Sequence, residues 1–376
     1  MNSLIYIDIV IASFRVNAQQ LLPILQLEVP DDVIVKFFLV IDNPGLLIGK
    51  DLLDAIANTN CILTINEVNK GVSASRNIGL EGGLGDWVLF LDDDVNVTKQ
   101  LLFKYTDAIK RNPNEIGFIG LVYLPTACTN YQQAVIANGS MTMFTIAQTE
   151  VDYAWGVTAN LMISRKAIGN QGFSTSYPKM GGAEDVEFCL RIREANNFKN
   201  FKTLQEAEVF HPWWNKGQPD FSRFYRYALG ISILPQRNPL YNYYSFLNTI
   251  ETLFVGCFVF MIALLVSPAS KCFPVFLEFV TLTIILEYIV CLRIALKHNK
   301  GHLTLTAFYI MLIRSSNDAG VFIGNLMRAR LKGLGERFQF NGRINNKSFA
   351  FNTNRIIKVL GYLAGFIFTL CHNKLI

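Results

Sequence analysis

From Thr252 to Ser270 the chain carries no charged side chain. About 20 apolar residues in a helix cross a hydrocarbon core some 30 Å thick, so this run is long enough to span a membrane. The competing reading is a buried helix of a soluble protein. Composition weighs against it: 51% of the residues are hydrophobic and only 17% charged, well under the roughly 25% of soluble domains, and the mean hydropathy is +0.29. A second run, Phe273 to Leu296, is also long enough but holds Glu278, Glu287 and Arg293, which a span must shelter against a neighbouring helix. Leu303 to Ile313 reaches only about half the hydrocarbon thickness and reads as interfacial. Val359 to Cys371 reads as a short span, a re-entrant segment or another interfacial helix.

Charge orients these segments. Lys297 to Arg355 holds ten basic residues against Asp318 and Glu336, whereas the link Pro268 to Cys272 has Lys271 alone. The positive-inside rule places the basic segment in the cytosol and the link outside, so the two runs form a hairpin. The same basic residues would meet anionic lipid headgroups, while an ordinary solvated face is the plainer alternative. The net charge of +5 is concentrated here, and no nucleic-acid partner is expected.

The first part of the chain alternates β-branched runs with helical stretches, the pattern of a largely parallel sheet covered by helices. Strands are expected over Ile5–Ile11, Val35–Ile41, Cys61–Ile65, Trp87–Leu91 and Ile116–Tyr123. Helices are expected over Gln19–Leu27, Lys50–Asn58, Ser73–Glu81 and Lys99–Arg111, the last with Thr98 as N-cap. Asp8 interrupts the first apolar run and no cleavage site follows, so this start reads as a core strand rather than a signal peptide. The seven cysteines form no CxxC pair and are expected to be reduced and buried. The implied division is residues 1–245 for the α/β domain and 246–376 for the membrane region, with spans at 252–270 and 273–296, a cytosolic interfacial stretch at 297–355 and a short segment at 359–371.

In parallel sheets, ligands bind beyond the carboxyl ends of the strands, where Asp42 and the trio Asp92, Asp93 and Asp94 stand. Three adjacent carboxylates repel unless a cation joins them, and Mg²⁺ or Mn²⁺ typically takes one or two carboxylates plus substrate phosphates. Acidic loops after strands are also common without a metal. Asn69 to Gly79 makes a glycine turn into a helix of small residues, from which Arg76 can reach a diphosphate or simply be solvated. Gly181 to Arg191 sets a glycine pair before Glu184 and Asp185, which taken alone also suit a helix N-terminus.

In this order the segments resemble glycosyltransferase family 2 of the GT-A fold. Ile9 to Arg15 is similar to that family's first strand and turn, with Ala12 where proline is usual, and the likeness covers about residues 5 to 235. The resemblance implies a nucleotide diphosphate sugar donor bound by Ser13, Asp42, Arg76, Asp92 and Asp93. It implies a metal, Mn²⁺ or Mg²⁺, on Asp92 and Asp94 with His211 completing the set, and Asp185 as catalytic base. Glu184, Trp155, Trp213 and Trp214 are second-tier contacts on the acceptor side, although large aromatics more often fill a core. The Gln-x-x-Arg-Trp motif of processive members is missing, with Arg223, Arg226 and Arg237 in that region. The expectation is therefore an inverting transferase that moves one sugar onto an acceptor hydroxyl, free or lipid-linked, at the cytosolic face of a cell or internal membrane. The rivals are transfer to a polyprenyl phosphate and a non-catalytic nucleotide-binding transport or scaffold protein.

Overall fold

The computed structural model describes residues 4–298, 302–344 and 348–372, with side chains to residue 367. Its contacts divide the chain into two compact units, and the first takes in residues 1–126, 141–216 and 340–342.

The first unit begins as expected. Strand β1 (Ile5–Ser13), helix α1 (Ala18–Leu25), β2 (Val33–Ile41), α2 (Lys50–Ala57), β3 (Cys61–Ile65), α3 (Val72–Gly82) and β4 (Trp87–Asp92) follow one another. The four strands are parallel in the order β3-β2-β1-β4, and their apolar residues leave no room for water: Ile9, Leu39 and Phe90 are wholly buried. Asp8, the charge inside β1, is neutralised there by Arg165 Nη2 at 2.6 Å and accepts from the Gly85 amide at 2.7 Å. Helix α3 lies on β1 and β2 closely enough that a side chain at Gly79 would strike Val10.

The other half of the sheet was not foreseen in detail. After β5 (Asn96–Val97), α4 (Leu101–Arg111), β6 (Gly117–Tyr123), α5 (Asn130–Ala137), α6 (Ile146–Thr149) and β7 (Asp152–Tyr153), strand β8 (Asn160–Ser164) enters antiparallel between β4 and β6. Short α7 (Arg165–Ile168), α8 (Glu184–Ala195) and β9 (Phe201–Phe210) complete the unit, with β9 parallel to β6 and antiparallel to β5 and β7. Asn160 ties this junction by donating to the carbonyls of Leu121 and Ala207 while accepting from Tyr105 Oη. Counted by paired residues, the sheet is mostly parallel. Thr98 is not the N-cap of α4: the helix starts two residues later, after Gln100, without a side-chain cap, because Thr98 supplies only a carbonyl to Leu101 N.

The second unit takes in residues 127–140, 217–339 and 343–376, so it includes α5. Helices α9 (Phe221–Ile231) and α10 (Leu234–Arg237) precede β10 (Asn242–Tyr244). Then come α11 (Thr249–Val266), α12 (Ala269–Lys297), α13 (Leu303–Met327), β11 (Glu336–Phe338) and α14 (Thr353–His372), with β10 and β11 antiparallel. Asn248 and Glu251 close a capping box on α11, and Ser267, extended before Pro268, ends it. Leu303 to Ile313 is only the first part of α13, which continues through Arg314 because Glu287 on α12 takes its charge at 2.7 Å. Arg293 donates to Asn354 on α14, whereas Glu278 is exposed.

Only 11% of the α11 window and 28% of the α12 window are buried, although both are long and apolar enough to cross a membrane. A soluble protein's core helix would be mostly covered. The six cysteines whose side chains are described form no disulfide with one another, but Cys128 and Cys257 are exposed rather than buried. For Cys257 the reason is its place on the uncovered apolar helix α11.

Candidate active site

Parallel pairing sets four strand ends side by side: Ser13 faces Ile41, Ile41 faces Ile65 and Ala12 faces Asp92. The polar residues that follow these strands therefore share one edge. Asp42 is buried there, and its carboxylate accepts from Asn66 Nδ2 at 2.8 Å, Lys70 N at 2.7 Å and Gly71 N at 2.8 Å. It holds the loop that opens α3. Gly71 suits this turn because its φ is +92° and a Cβ would lie 2.8 Å from Lys179 Cα.

Arg76, one turn into α3, is buried and forked between two carboxylates, Glu184 Oε1 at 2.8 Å and Asp92 Oδ1 at 3.1 Å. Burial works against its charge, but Asp92, Glu184 and Asp185 outweigh that and hold its pKa above the ordinary value. Asp93 accepts from Ser13 Oγ at 2.8 Å and Arg15 Nη2 at 2.5 Å, and the same nitrogen lies 2.7 Å from Asp94 Oδ2. Arg15 and Gln20, which donates to the Asp94 carbonyl, were missed as site residues. The available signal was an arginine two residues past the end of β1, beside the strand that carries the carboxylates.

His211 follows β9, and the pairing of β9 with β5 carries it to Asp94: Asn96 faces Phe210, and His211 Nε2 lies 3.3 Å from Asp94 Oδ1. Its Nδ1 is 2.6 Å from the Pro212 carbonyl, which can only accept, so Nδ1 carries hydrogen. In the neutral ring a lone pair on Nε2 then faces a carboxylate oxygen, an arrangement that a cation resolves. Ligand atoms of Asp92, Asp94 and His211 all lie within 4.8 Å of one another. Ligands about 2.1 Å from a Mg²⁺ stand up to about 4 Å apart, so the set closes on a divalent ion with small side-chain shifts. Two oxygens and one imidazole suit such an ion.

Asp185 begins α8 beside Glu184, after three consecutive residues of positive φ: Gly181 at +85°, Gly182 at +135° and Ala183 at +71°. A non-glycine residue in this region is uncommon and marks local strain. Glu184 is fixed by Arg76 and by the Gly182 amide at 2.6 Å. Burial, then the charge of Glu184, push the Asp185 carboxyl up to about 7, against the pull of Arg76. Burial likewise raises Asp92, opposed by Arg76.

The tryptophans divide. Trp155 is 6% exposed, donates to the Phe340 carbonyl at 2.5 Å and packs edge-on to Tyr153, the surroundings of a core residue. Trp213 and Trp214 are half-buried; Trp214 stands edge-on to Phe144, whose ring also meets His211, and the buried indole N–H of Trp213 has no hydrogen-bond partner among the described residues.

Residues 40–167, which hold Asp42, Arg76 and the three aspartates, match the family model described as Glycosyl transferase family 2. The chain carries a glycosyl transferase family 2 domain. An uncharacterized glycosyltransferase of Haemophilus influenzae is 27% identical over 147 residues, which are 36% of this chain. The chain spans about half the length of that relative, 46%. Among solved structures, S. aureus TarS 1–349 in complex with UDP covers 91% of this chain and 98% of its own at 12% identity and a TM-score of 0.42. GalNAc-T7 with UDP, GalNAc and Mn²⁺ covers 58% of this chain and 45% of its own at 15% identity and a TM-score of 0.40. Both likenesses are distant.

Proposed function

We propose that this family 2 domain is an inverting glycosyltransferase that moves one sugar from a nucleotide diphosphate sugar to an acceptor hydroxyl at the cytosolic face of a membrane. The observation that carries this reading is the meeting, at one sheet edge, of a metal-ligand set with a carboxyl whose pKa lies near 7. Asp92, Asp94 and His211 would hold a divalent cation, Mn²⁺ or Mg²⁺, which when bound would supply counter-charge to the donor diphosphate.

The chain's own groups do the rest. Ser13 and Asp93 line the donor side, and Asp42 shapes it through the 66–71 loop as well as lying where the base would bind. Arg76, fixed by Glu184 and Asp92, directs positive charge toward the leaving group. Asp185 takes the proton of the acceptor hydroxyl as its oxygen bonds to the anomeric carbon, while the carbon–oxygen bond to the diphosphate breaks with its electron pair leaving on the diphosphate. A group that titrates near neutrality is suited to that task.

The test is release of nucleoside diphosphate by the full chain from a panel of nucleotide sugars, with membrane lipids and Mn²⁺ or Mg²⁺. Donor-dependent release that stops in chelator is expected. Binding without turnover in every mixture would favour the scaffold reading, and a product carrying sugar on a lipid phosphate would replace the hydroxyl acceptor.

A further inference from the structure

Three helices of the second unit share one register. On α11 and α12, Thr249 donates to Glu287 at 2.6 Å, Gly256 lies against Phe279 and Phe260 stacks on Phe276 at 4.3 Å, so the two run antiparallel. On α12 and α14, Arg293 meets Asn354, Glu287 meets Lys358, Leu286 lies against Gly361 and Leu282 against Gly365. Numbers rise on one helix as they fall on the other. Helix α14 is thus antiparallel to α12 as well, and Gly361 and Gly365 let the two backbones approach.

These registers put Thr249, Glu287 and Lys358 at a single level. Lys358 Nζ donates to Thr249 Oγ1 at 2.6 Å, and Lys358 and Arg314 both pair with Glu287. On one side of this plane the three helices are almost free of charge: Val359 to Cys371 has none, Thr252 to Val266 has none, and Phe273 to Leu286 has only Glu278. The face of α14 turned away from α12 is apolar and exposed, with Leu360 at 59%, Leu363 at 54% and Phe366 at 63%. Fourteen residues beyond Lys358 extend about 21 Å, some two-thirds of the hydrocarbon core.

On the other side of the plane, one turn before Lys358, stands Arg355. Its guanidinium donates to the Phe246 carbonyl at 3.0 Å, and no carboxylate lies within ion-pair distance of it among the described residues. Arg337 donates to the same carbonyl but is neutralised by Glu251. Beside them Phe246, Phe349 and Phe351 form an aromatic cluster, with Phe349 and Phe351 exposed. A guanidinium on which Asp318 and Glu251 act only from beyond ion-pair distance, next to exposed aromatic rings where apolar helices begin, has the chemistry of a bilayer interface.

We propose that α14 enters the bilayer beside α11 and α12, from the same side, as a third lipid-facing helix, with Arg355 at its aqueous rim binding a phospholipid phosphate. This rests on the membrane reading of α11 and α12. The test uses the full chain in a cysteine-free background, reconstituted in vesicles and spin-labelled at Leu363→Cys, Phe366→Cys, Met261→Cys on α11 and Thr353→Cys. Labels at positions 261, 363 and 366 should be accessible to oxygen and shielded from a water-soluble nickel complex, and the label at 353 the reverse. Shielding at 261 with water exposure at 363 and 366 overturns the placement of α14 alone, whereas water exposure at all sites overturns the membrane reading too. Native mass spectrometry from vesicles of equal phosphatidylcholine and phosphatidylglycerol should show Arg355→Gln retaining at least about threefold less phosphatidylglycerol. Equal retention overturns the phosphate site.

Discussion

If Asp185 is the base, its pKa near 7 means it is half protonated at neutral pH, so kcat/KM should rise with pH through an apparent pKa near 7. Asp185→Asn should lose about a hundredfold or more in kcat, flatten that limb and leave donor affinity nearly intact. A pH–rate series on both proteins decides it, and a mutant that keeps the limb moves the base elsewhere. Arg15 lends itself to a second measurement. It bridges Asp93 and Asp94 from a side chain that is 57% exposed, so it neutralises carboxylates that a metal would otherwise have to itself. Arg15→Gln should tighten Mn²⁺ binding to the donor-free protein about threefold to tenfold, read by electron paramagnetic resonance of free Mn²⁺; unchanged or weaker binding would deny it that role. Asp92 to Asp94 were legible in the sequence because an apolar strand ran straight into them. Arg15 was not, because its contact depends on β1 lying next to β4, and strand order leaves no mark within a strand.

The same limit appears among the elements. The parallel half of the sheet could be read from alternating β-branched and helical runs, whereas β5, β7 and β8 are too short or too late in the chain to declare their antiparallel partners. His211 entered only through the family resemblance, because it is the β5–β9 pairing that brings it to Asp94. The resemblance also implied Asp42 as a donor contact without showing that it organises the start of α3. Each of its three hydrogen bonds goes to the loop between β3 and α3. Removing a buried acceptor strands its donors, so Asp42→Ala should cost about 2–4 kcal/mol of stability even without nucleotide. Denaturant unfolding of the nucleotide-free protein checks this, and an unchanged midpoint would leave Asp42 with a ligand role alone.

At the scale of the whole chain, segments of the two units alternate, and α5 joins the second unit from more than a hundred residues before α11. No local change of composition marks α5, which is why a single boundary near residue 245 was all the sequence suggested. Orientation in a membrane is a different matter, because it follows from charge counts rather than contacts. The segment from Lys297 to Arg355 carries ten basic residues to two acidic ones, against Lys271 alone in Pro268 to Cys272, where α11 gives way to the first turn of α12. Moving the larger basic load across a bilayer is the costlier course, so the link should face outward and the basic segment the cytosol. In a cysteine-free background expressed in sealed cells, Ser270→Cys should react with a membrane-impermeant maleimide, and Lys332→Cys should react only after permeabilisation. The opposite pattern would invert the topology, and labelling of both from outside would mean that α11 and α12 do not form a hairpin across the membrane.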